Sequence, residues 1–582
     1  MNTNHRLPLP AHTVFKRIGL GERHVSAIDA LAQVQARDTV MQPFRPLTES
    51  LEWELSGLHW QRAGLMPFVE NDVPFLVNNS GFLSEHVAAV MFANCAEFAP
   101  TESIRVLELG AGMGLFARYF LNAFKLICAQ EERDFFDRLI YYVSDQSMQT
   151  VQHWRERNQF AAFPAGRVVL GTCDAVQPNI FHSIDGETIT LSALKAVVCN
   201  YVLDVLPATV VRRAGSGALT EELRVQTHLI DDKNTLAQFT RLTPAEVRAL
   251  ATSQDDAQKS QLIGLLSLLD FETKFFPVAK PDALIDEALQ DATAGGRVVV
   301  NHGAIACLSA SLAVLDASGF IVVSDYGPVQ SAQVSDHAMS QRFGPTSALG
   351  LNFPLLERYF SARDGVVTTA EGDDERGIHA RLFTRKNLPD TIESFCNRFG
   401  PAGRDFFEVP CEDARKHIAA GRHGEALDCY RLALSRSPRS WQLTGEVAEF
   451  VGLTLQDLAA GREMIRAALE ENPWYSPWLW NVLGDILFME KDNAGAHEAY
   501  LQAQKIHPND VRTNLNLSFT YTELGQFADA LAALANALGS DVRGIFRPRL
   551  LEKQQQILGA LSARWQGEQE RLARRAERMM QS

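Results

Sequence analysis

The stretch Arg105-Val106-Leu107-Glu108-Leu109-Gly110-Ala111-Gly112-Met113-Gly114 decides the fold, and Leu115-Phe116-Ala117-Arg118-Tyr119-Phe120 follows it with helical spacing. An apolar run that ends in an acid and three alternating glycines, then a helix, reads as a buried strand feeding a tight turn at the open edge of a sheet. Lacking Cβ atoms, the turn can take positive φ and let a ligand approach its backbone, while the helix start offers unpaired N–H groups. A dinucleotide fingerprint carries its third glycine one place later, where this chain has Leu115, which disfavours a nicotinamide cofactor. Glu108 would repel phosphate and suits a cationic or amino-acid ligand.

Downstream, Leu139-Ile140-Tyr141-Tyr142-Val143-Ser144-Asp145 reads as a second strand ending in an acid able to accept both hydroxyls of a ribose. It lies 31 residues after Gly114, the excess over the usual spacing being taken up by the polar stretch Gln130 to Arg138. Arg167 to Asp174 reads as a third strand, with Asp174 either a ligand to a base or a turn former. Ala196-Val197-Val198-Cys199 is a fourth strand, and beyond its end stand Asn200, Tyr201 and Asp204 before Pro207. Acceptors bind at such carboxyl ends, so Asn200 and Asp204 are acceptor-side candidates, helix capping being the alternative. Residues 212–290 read as a charged helical insertion, and Gly319 to Gly327 as a strand and turn that resume the sheet. Residues 1–100 show no clear strand and read as a helical lead-in, with His86 a partly exposed helical residue.

The spacing Glu-x-Gly-x-Gly-x-Gly resembles motif I of the class I S-adenosylmethionine-dependent methyltransferases. The ordered set Glu108-Leu109-Gly110-x-Gly112-x-Gly114, Asp145-x-Ser147, Asn200-x-x-x-Asp204-x-x-Pro207, Asp325-Tyr326-Gly327 and Arg342-x-Gly344 resembles the MidA-like family, related to a mitochondrial complex I assembly factor, over roughly residues 75–360. The resemblance implies a Rossmann-like α/β domain over 101–390 that binds S-adenosyl-L-methionine through Glu108, Gly110, Gly112, Gly114, Asp145, Asp174 and Asn200. It implies methyl transfer, in one branch to arginine of a partner protein, with Asp204, Asn200 and Tyr201 as the candidate catalytic residues. The family reads Asn-Glu at the fourth strand where this chain has Asn200-Tyr201. A guanidinium arrives protonated and needs carboxylates to orient and polarise it, so the loss of one carboxylate at Tyr201 weakens an arginine acceptor and leaves Asp204 and Asp325 for that task.

The C-terminal third changes character. Taking Ala426, Gly461, Ala496 and Ala530 as equivalent gives steps of 35, 35 and 34 residues, the period of tetratricopeptide repeats. Small residues let paired helices approach, large ones such as Trp480, Leu483, Tyr500, Leu517 and Tyr521 fill the space, and proline ends the second helix. Trp474, Trp478 and Trp480 read as packing residues. The repeats span 411–540, and 541–582 reads as a capping helix with Leu550, Ile557, Leu561, Trp565 and Leu572 on one stripe. Such repeats imply a protein or peptide partner.

A chain of 582 residues with 46% hydrophobic and 21% charged content is long enough for several folded domains. Its net charge of −15 argues against a nucleic-acid or anionic-membrane surface. The eight cysteines stand singly, with no spacing for a metal site, and read as buried thiols of a reducing, cytoplasmic compartment; the basic N-terminus to Glu22 is faintly transit-like. Two functions follow: a methyltransferase acting on a protein or peptide that the repeats recruit, or a catalytically silent scaffold that keeps the fold.

Overall fold

A computed structural model describes residues 39–69, 80–98, 102–214, 219–229, 236, 240–293, 295–335, 340–343, 345–363, 365–375, 377–401, 408–541 and 544–580. They form two compact units, over 39–401 and 408–580. The basic N-terminus to Glu22 and Gly344 lie outside the described residues, as does the side chain of Arg342.

Strands are numbered along the chain: β1 (Thr39–Pro46), β2 (Ile104–Leu109), β3 (Leu139–Asp145), β4 (Val168–Cys173), β5 (Ile180–Ser183), β6 (Thr188–Thr190), β7 (Leu194–Asn200) and β8 (Thr209–Ala214). They continue with β9 (Leu219–Leu229), β10 (Leu269–Pro277), β11 (Arg297–Val300), β12 (Leu315–Asp325), β13 (Ser340–Phe343), β14 (Thr346–Leu349), β15 (Val366–Thr368) and β16 (His379–Thr384). The main sheet has the order β15-β16-β12-β7-β2-β3-β4-β5-β6, parallel from β12 to β4 and antiparallel at both margins. Its central strands are apolar on both faces because helices cover both. Ile104 and Val106 pack with Phe116, Phe120 and Phe124 of the helix Leu115–Gln130. Leu107 and Leu109 face the opposite layer, with Cys307 and Leu308 of the helix His302–Val314 and Phe353 of Phe353–Ser361.

Three expectations about this unit are corrected. Residues 212–290, read as helical, contribute β9 and β10, which pair antiparallel with each other and build a second sheet with β1, β8 and β11. Alternation is present in β9, where Leu223, Val225, Thr227 and Leu229 are buried, but the intervening Glu222, Arg224, Gln226 and His228 give it a charged, helix-like composition. The N-terminal stretch contains the strand β1, whose zigzag of Met41 against exposed neighbours is too short to stand out. His86 is also buried rather than partly exposed, its ring packed against Phe82 and Phe399.

The second unit is all helix. Helices Glu408–Ala419 and His423–Arg436, Trp441–Glu449 and Leu458–Glu471, Pro477–Met489 and Asn493–Ile506, Val511–Glu523 and Phe527–Ser540 pair as four hairpins. Ala426, Gly461, Ala496 and Ala530 each occupy the fourth position of a second helix and are buried there. In the second hairpin the helices approach closely, a Cβ on Gly461 falling 2.5 Å from the Gly452 Cα. Trp478 and Trp480 pack half-buried, donating from Nε1 to Glu449 at 2.9 Å and to the Pro473 carbonyl at 2.9 Å. The last helix, Arg547–Met580, covers the end of the stack with Leu550 and Ile557. The capping stripe stops there: Leu561, Trp565 and Leu572 are 39%, 64% and 65% exposed.

Candidate functional site

At the end of β2 the chain turns through Gly110, Gly112 and Gly114 at φ of 60°, 52° and 67°. Left-handed backbone costs side-chain-bearing residues energy at each of these places, and space closes the same option. A Cβ on Gly110 would lie 2.5 Å from Val202 Cγ2, and one on Gly112 would lie 2.9 Å from Phe68 Cζ. Hydrogen bonds hold the turn: the Ala111 N–H donates to the Ser144 carbonyl at 2.8 Å, the Gly112 N–H to Asp145 Oδ2 at 3.1 Å, and the Gly114 N–H to the Ala111 carbonyl at 2.8 Å.

Because β2, β3 and β4 are adjacent and parallel, Gly110, Asp145 and Asp174 stand in a row along their carboxyl edge, partly or fully exposed. Asp145 also accepts from the Ser147 N–H at 2.9 Å, and burial lifts its carboxyl to about 6 against the pull of its N–H donors. Asp174 accepts from the Val176 N–H at 3.0 Å, the turn-forming contact open to it in the sequence. Glu108 lies beneath the turn, buried, its Oε2 accepting from the Tyr141 hydroxyl at 2.9 Å. Burial pushes the Glu108 carboxyl up to about 8, with the Tyr141 bond opposing and the Asp145 charge adding to the shift. Among the described residues no cation pairs with Glu108, so a cationic ligand at the turn would favour its charged form.

On the other side of β2 stands β7, and the chain direction reverses its order across this gap, the position where open α/β sheets bind ligands. Past β7, Tyr201 takes φ of 52°, a strained value for a tyrosine, and its N–H donates to the Ser324 carbonyl at 3.0 Å. This kink brings Asn200, Tyr201 and Asp204 against Asp325 and Tyr326 at the end of β12. Asp325 Oδ2 accepts from the Asp204 N–H at 3.3 Å and Oδ1 from the Tyr326 N–H at 2.9 Å. Both carboxyls are buried; burial raises Asp204 to about 7, and burial plus the Asp204 charge raises Asp325 well above the carboxylate range. The pair therefore holds a proton near neutrality. Among the described residues, neither the two amide atoms of Asn200 nor the Tyr201 hydroxyl, all buried, finds a hydrogen-bond partner, an arrangement that costs free energy until a polar ligand meets them.

The structure thus gathers the expected residues into two groups on either side of β2: Glu108, the three glycines, Asp145 and Asp174 on one, Asn200, Tyr201 and Asp204 on the other. Val202, which closes on Gly110, joins them. No motif in the sequence marks Tyr141, Val202, Trp154 or Gln159; Tyr141 reaches Glu108 from two positions before its register partner, Val143, on the neighbouring strand. Among the described residues no cluster of metal ligands occurs.

Residues 86–346 match the family model described as "Putative S-adenosyl-L-methionine-dependent methyltransferase". No curated protein matches the chain. Among solved structures, a "likely methyl transferase from Burkholderia thailandensis bound to S-adenosyl-homocysteine" is 16% identical, covering 66% of this chain and 97% of its own, with a TM-score of 0.39. The pilF protein of Pseudomonas aeruginosa is 19% identical over 27% of this chain and 69% of its own, with a TM-score of 0.25. A thermophilic tetratricopeptide-repeat protein of Thermus thermophilus is 20% identical over 26% of this chain and 82% of its own, with a TM-score of 0.24.

Proposed function

We propose that this protein, an S-adenosylmethionine-dependent methyltransferase domain fused to tetratricopeptide-type helices, methylates a protein or peptide that the helices recruit. The observation that carries the reading is the buried Asp204–Asp325 pair with the unpartnered Asn200 amide, set one strand away from the glycine turn. The row Gly110, Asp145 and Asp174 fits an extended nucleoside: Asp145 accepts the ribose hydroxyls, Asp174 meets the base, and Glu108 with the glycines receives the amino-acid end. Bound S-adenosylmethionine supplies a methyl group on a sulfonium.

The protein's share of the chemistry is alignment, exclusion of water and proton handling. Asn200 offers a donor and an acceptor that orient the acceptor nitrogen, and the Tyr201 ring walls the slot. An ionised Asp204 takes the proton that a protonated acceptor must lose, with the Tyr326 hydroxyl beside it and Asp325 holding its backbone N–H. One carboxylate pair remains where the family pattern has a further glutamate, so an amine or amide nitrogen suits the slot better than a guanidinium with its fork of donors. Among the described residues no helix is long and apolar enough to cross a membrane.

The deciding experiment is calorimetric titration of the full chain with S-adenosylhomocysteine, with NADH and the Gly112→Arg variant as controls. Binding that the variant loses, with no response to NADH, supports the reading. Absence of binding by the wild type removes it and leaves a repeat-bearing scaffold. Binding together with a cellular role that survives Asp204→Asn would also favour the scaffold.

A further inference from the structure

Two side chains that no motif marks hold the glycine turn from outside. Trp154 Nε1 donates to the Gly112 carbonyl at 3.0 Å, and Gln159 Nε2 donates to the Met113 carbonyl at 2.7 Å. Both side chains are buried. Trp154 lies in the helix Met148–Glu156, which begins at the Ser147 cap just past Asp145, and Gln159 follows the end of that helix. The Gln159 N–H in turn donates to the Trp154 carbonyl at 3.1 Å, so the two donors are fixed relative to each other.

The bonds divide by kind. On the strand side Asp145 accepts from the Gly112 N–H and the Ser144 carbonyl from the Ala111 N–H; from the helix and its end Trp154 and Gln159 donate to the carbonyls of Gly112 and Met113. A Cβ on Gly114 would lie 2.9 Å from Gln159 Nε2 and 3.2 Å from Trp154 Nε1, so the third glycine is the opening through which both donors reach the turn. Glycine loses more conformational freedom on ordering than any other residue, and the three glycines bring no side chains to hold the turn in shape. Ordering it before the ligand arrives removes that cost from binding.

We infer that Trp154 and Gln159 are positioning residues for the cofactor, a two-donor clamp that sets the glycine turn in its binding shape. The inference rests on the methyltransferase reading only in taking the turn as the seat of S-adenosylmethionine. The third glycine of the motif then has a role apart from ligand approach, that of admitting the clamp.

The test uses the full chain with Gln159→Leu, which keeps bulk and removes the donor, Trp154→Phe, and the double variant. For each, calorimetry gives the affinity for S-adenosylhomocysteine, thermal unfolding gives the melting temperature, and initial rates separate KM for S-adenosylmethionine from kcat. The expected result for Gln159→Leu is an affinity loss of about tenfold at a melting temperature within a few degrees of wild type, with KM raised and kcat close to unchanged. The double variant should lose less than the product of the single losses, since both donors act on one turn. Unchanged affinity in folded Gln159→Leu overturns the clamp while the methyltransferase reading stands on the wild-type titration. A drop in kcat and melting temperature with KM unmoved assigns the residue a merely structural role and also overturns it. Wild type that fails to bind removes the reading and the clamp together. If Trp154→Phe does not fold, because that ring fills the core, Gln159→Leu decides alone.

Discussion

At the scale of single residues the buried carboxyls set the pH behaviour. Asp204, held at about 7 by burial, acts as a base only when ionised, so methyl transfer should rise as pH increases through about 7 and then level. Asp204→Asn should lower kcat by about a hundredfold or more and flatten that profile, as steady-state rates between pH 6 and 9 would show. Glu108 makes a separate prediction about stability. Its folded value of about 8 stands above the ordinary carboxylate value, so the folded state binds the proton more tightly than the unfolded state does. The resulting stabilisation is full below the ordinary value and is lost as pH rises toward 8. Glu108→Gln should remove this loss, so that denaturant midpoints at pH 5 and pH 8 converge, each tenfold difference in proton affinity between the two states being worth about 1.4 kcal/mol. The glycines and the acids at strand ends were legible in the sequence because backbone freedom and charge announce themselves locally. Trp154 and Gln159 were not, since each donor's partner lies more than forty residues away along the chain and a buried tryptophan looks like any core residue.

Secondary-structure elements were legible where one period dominates. The parallel strands β2, β3 and β7 are mostly apolar, and the repeat hairpins keep a 35-residue rhythm of small residues. The second sheet was not legible, because β9 and β10 carry charged and aromatic side chains on one face: Lys274 lies over Phe44 and Arg224 over Phe276, pairs that are neighbours only after the strands assemble. At this scale Gly461 offers a direct test. Leucine there must push the helix Leu458–Glu471 away from Gly452, at a cost of about 1–3 kcal/mol. Denaturation followed through the tryptophans of the repeats should show that loss, while the affinity for S-adenosylhomocysteine stays at the wild-type value. A changed affinity would mean that the turn depends on the repeats.

On the scale of the whole molecule, two compact units with separate cores should unfold in two steps. Differential scanning calorimetry of the full chain is expected to resolve two transitions, and S-adenosylhomocysteine at about a hundred times its Kd should stabilise one of them by about 2.7 kcal/mol and leave the other in place. A single transition that moves as a whole would show that the units melt together. The last helix belongs to the repeat unit's own core, which Leu550 and Ile557 close.

The placement of the two residue groups on neighbouring strands has a steric corollary. Adjacent strands stand about 4.8 Å apart, and a displacement needs its reacting atoms within about 3.5 Å. Paired strands leave no gap between them, so the two groups of residues can meet a shared ligand only past the ends of β2 and β7. On the proposed function, donor and acceptor would therefore meet along one short stretch of the sheet's carboxyl edge, and the methyl group would change hands there without crossing the sheet.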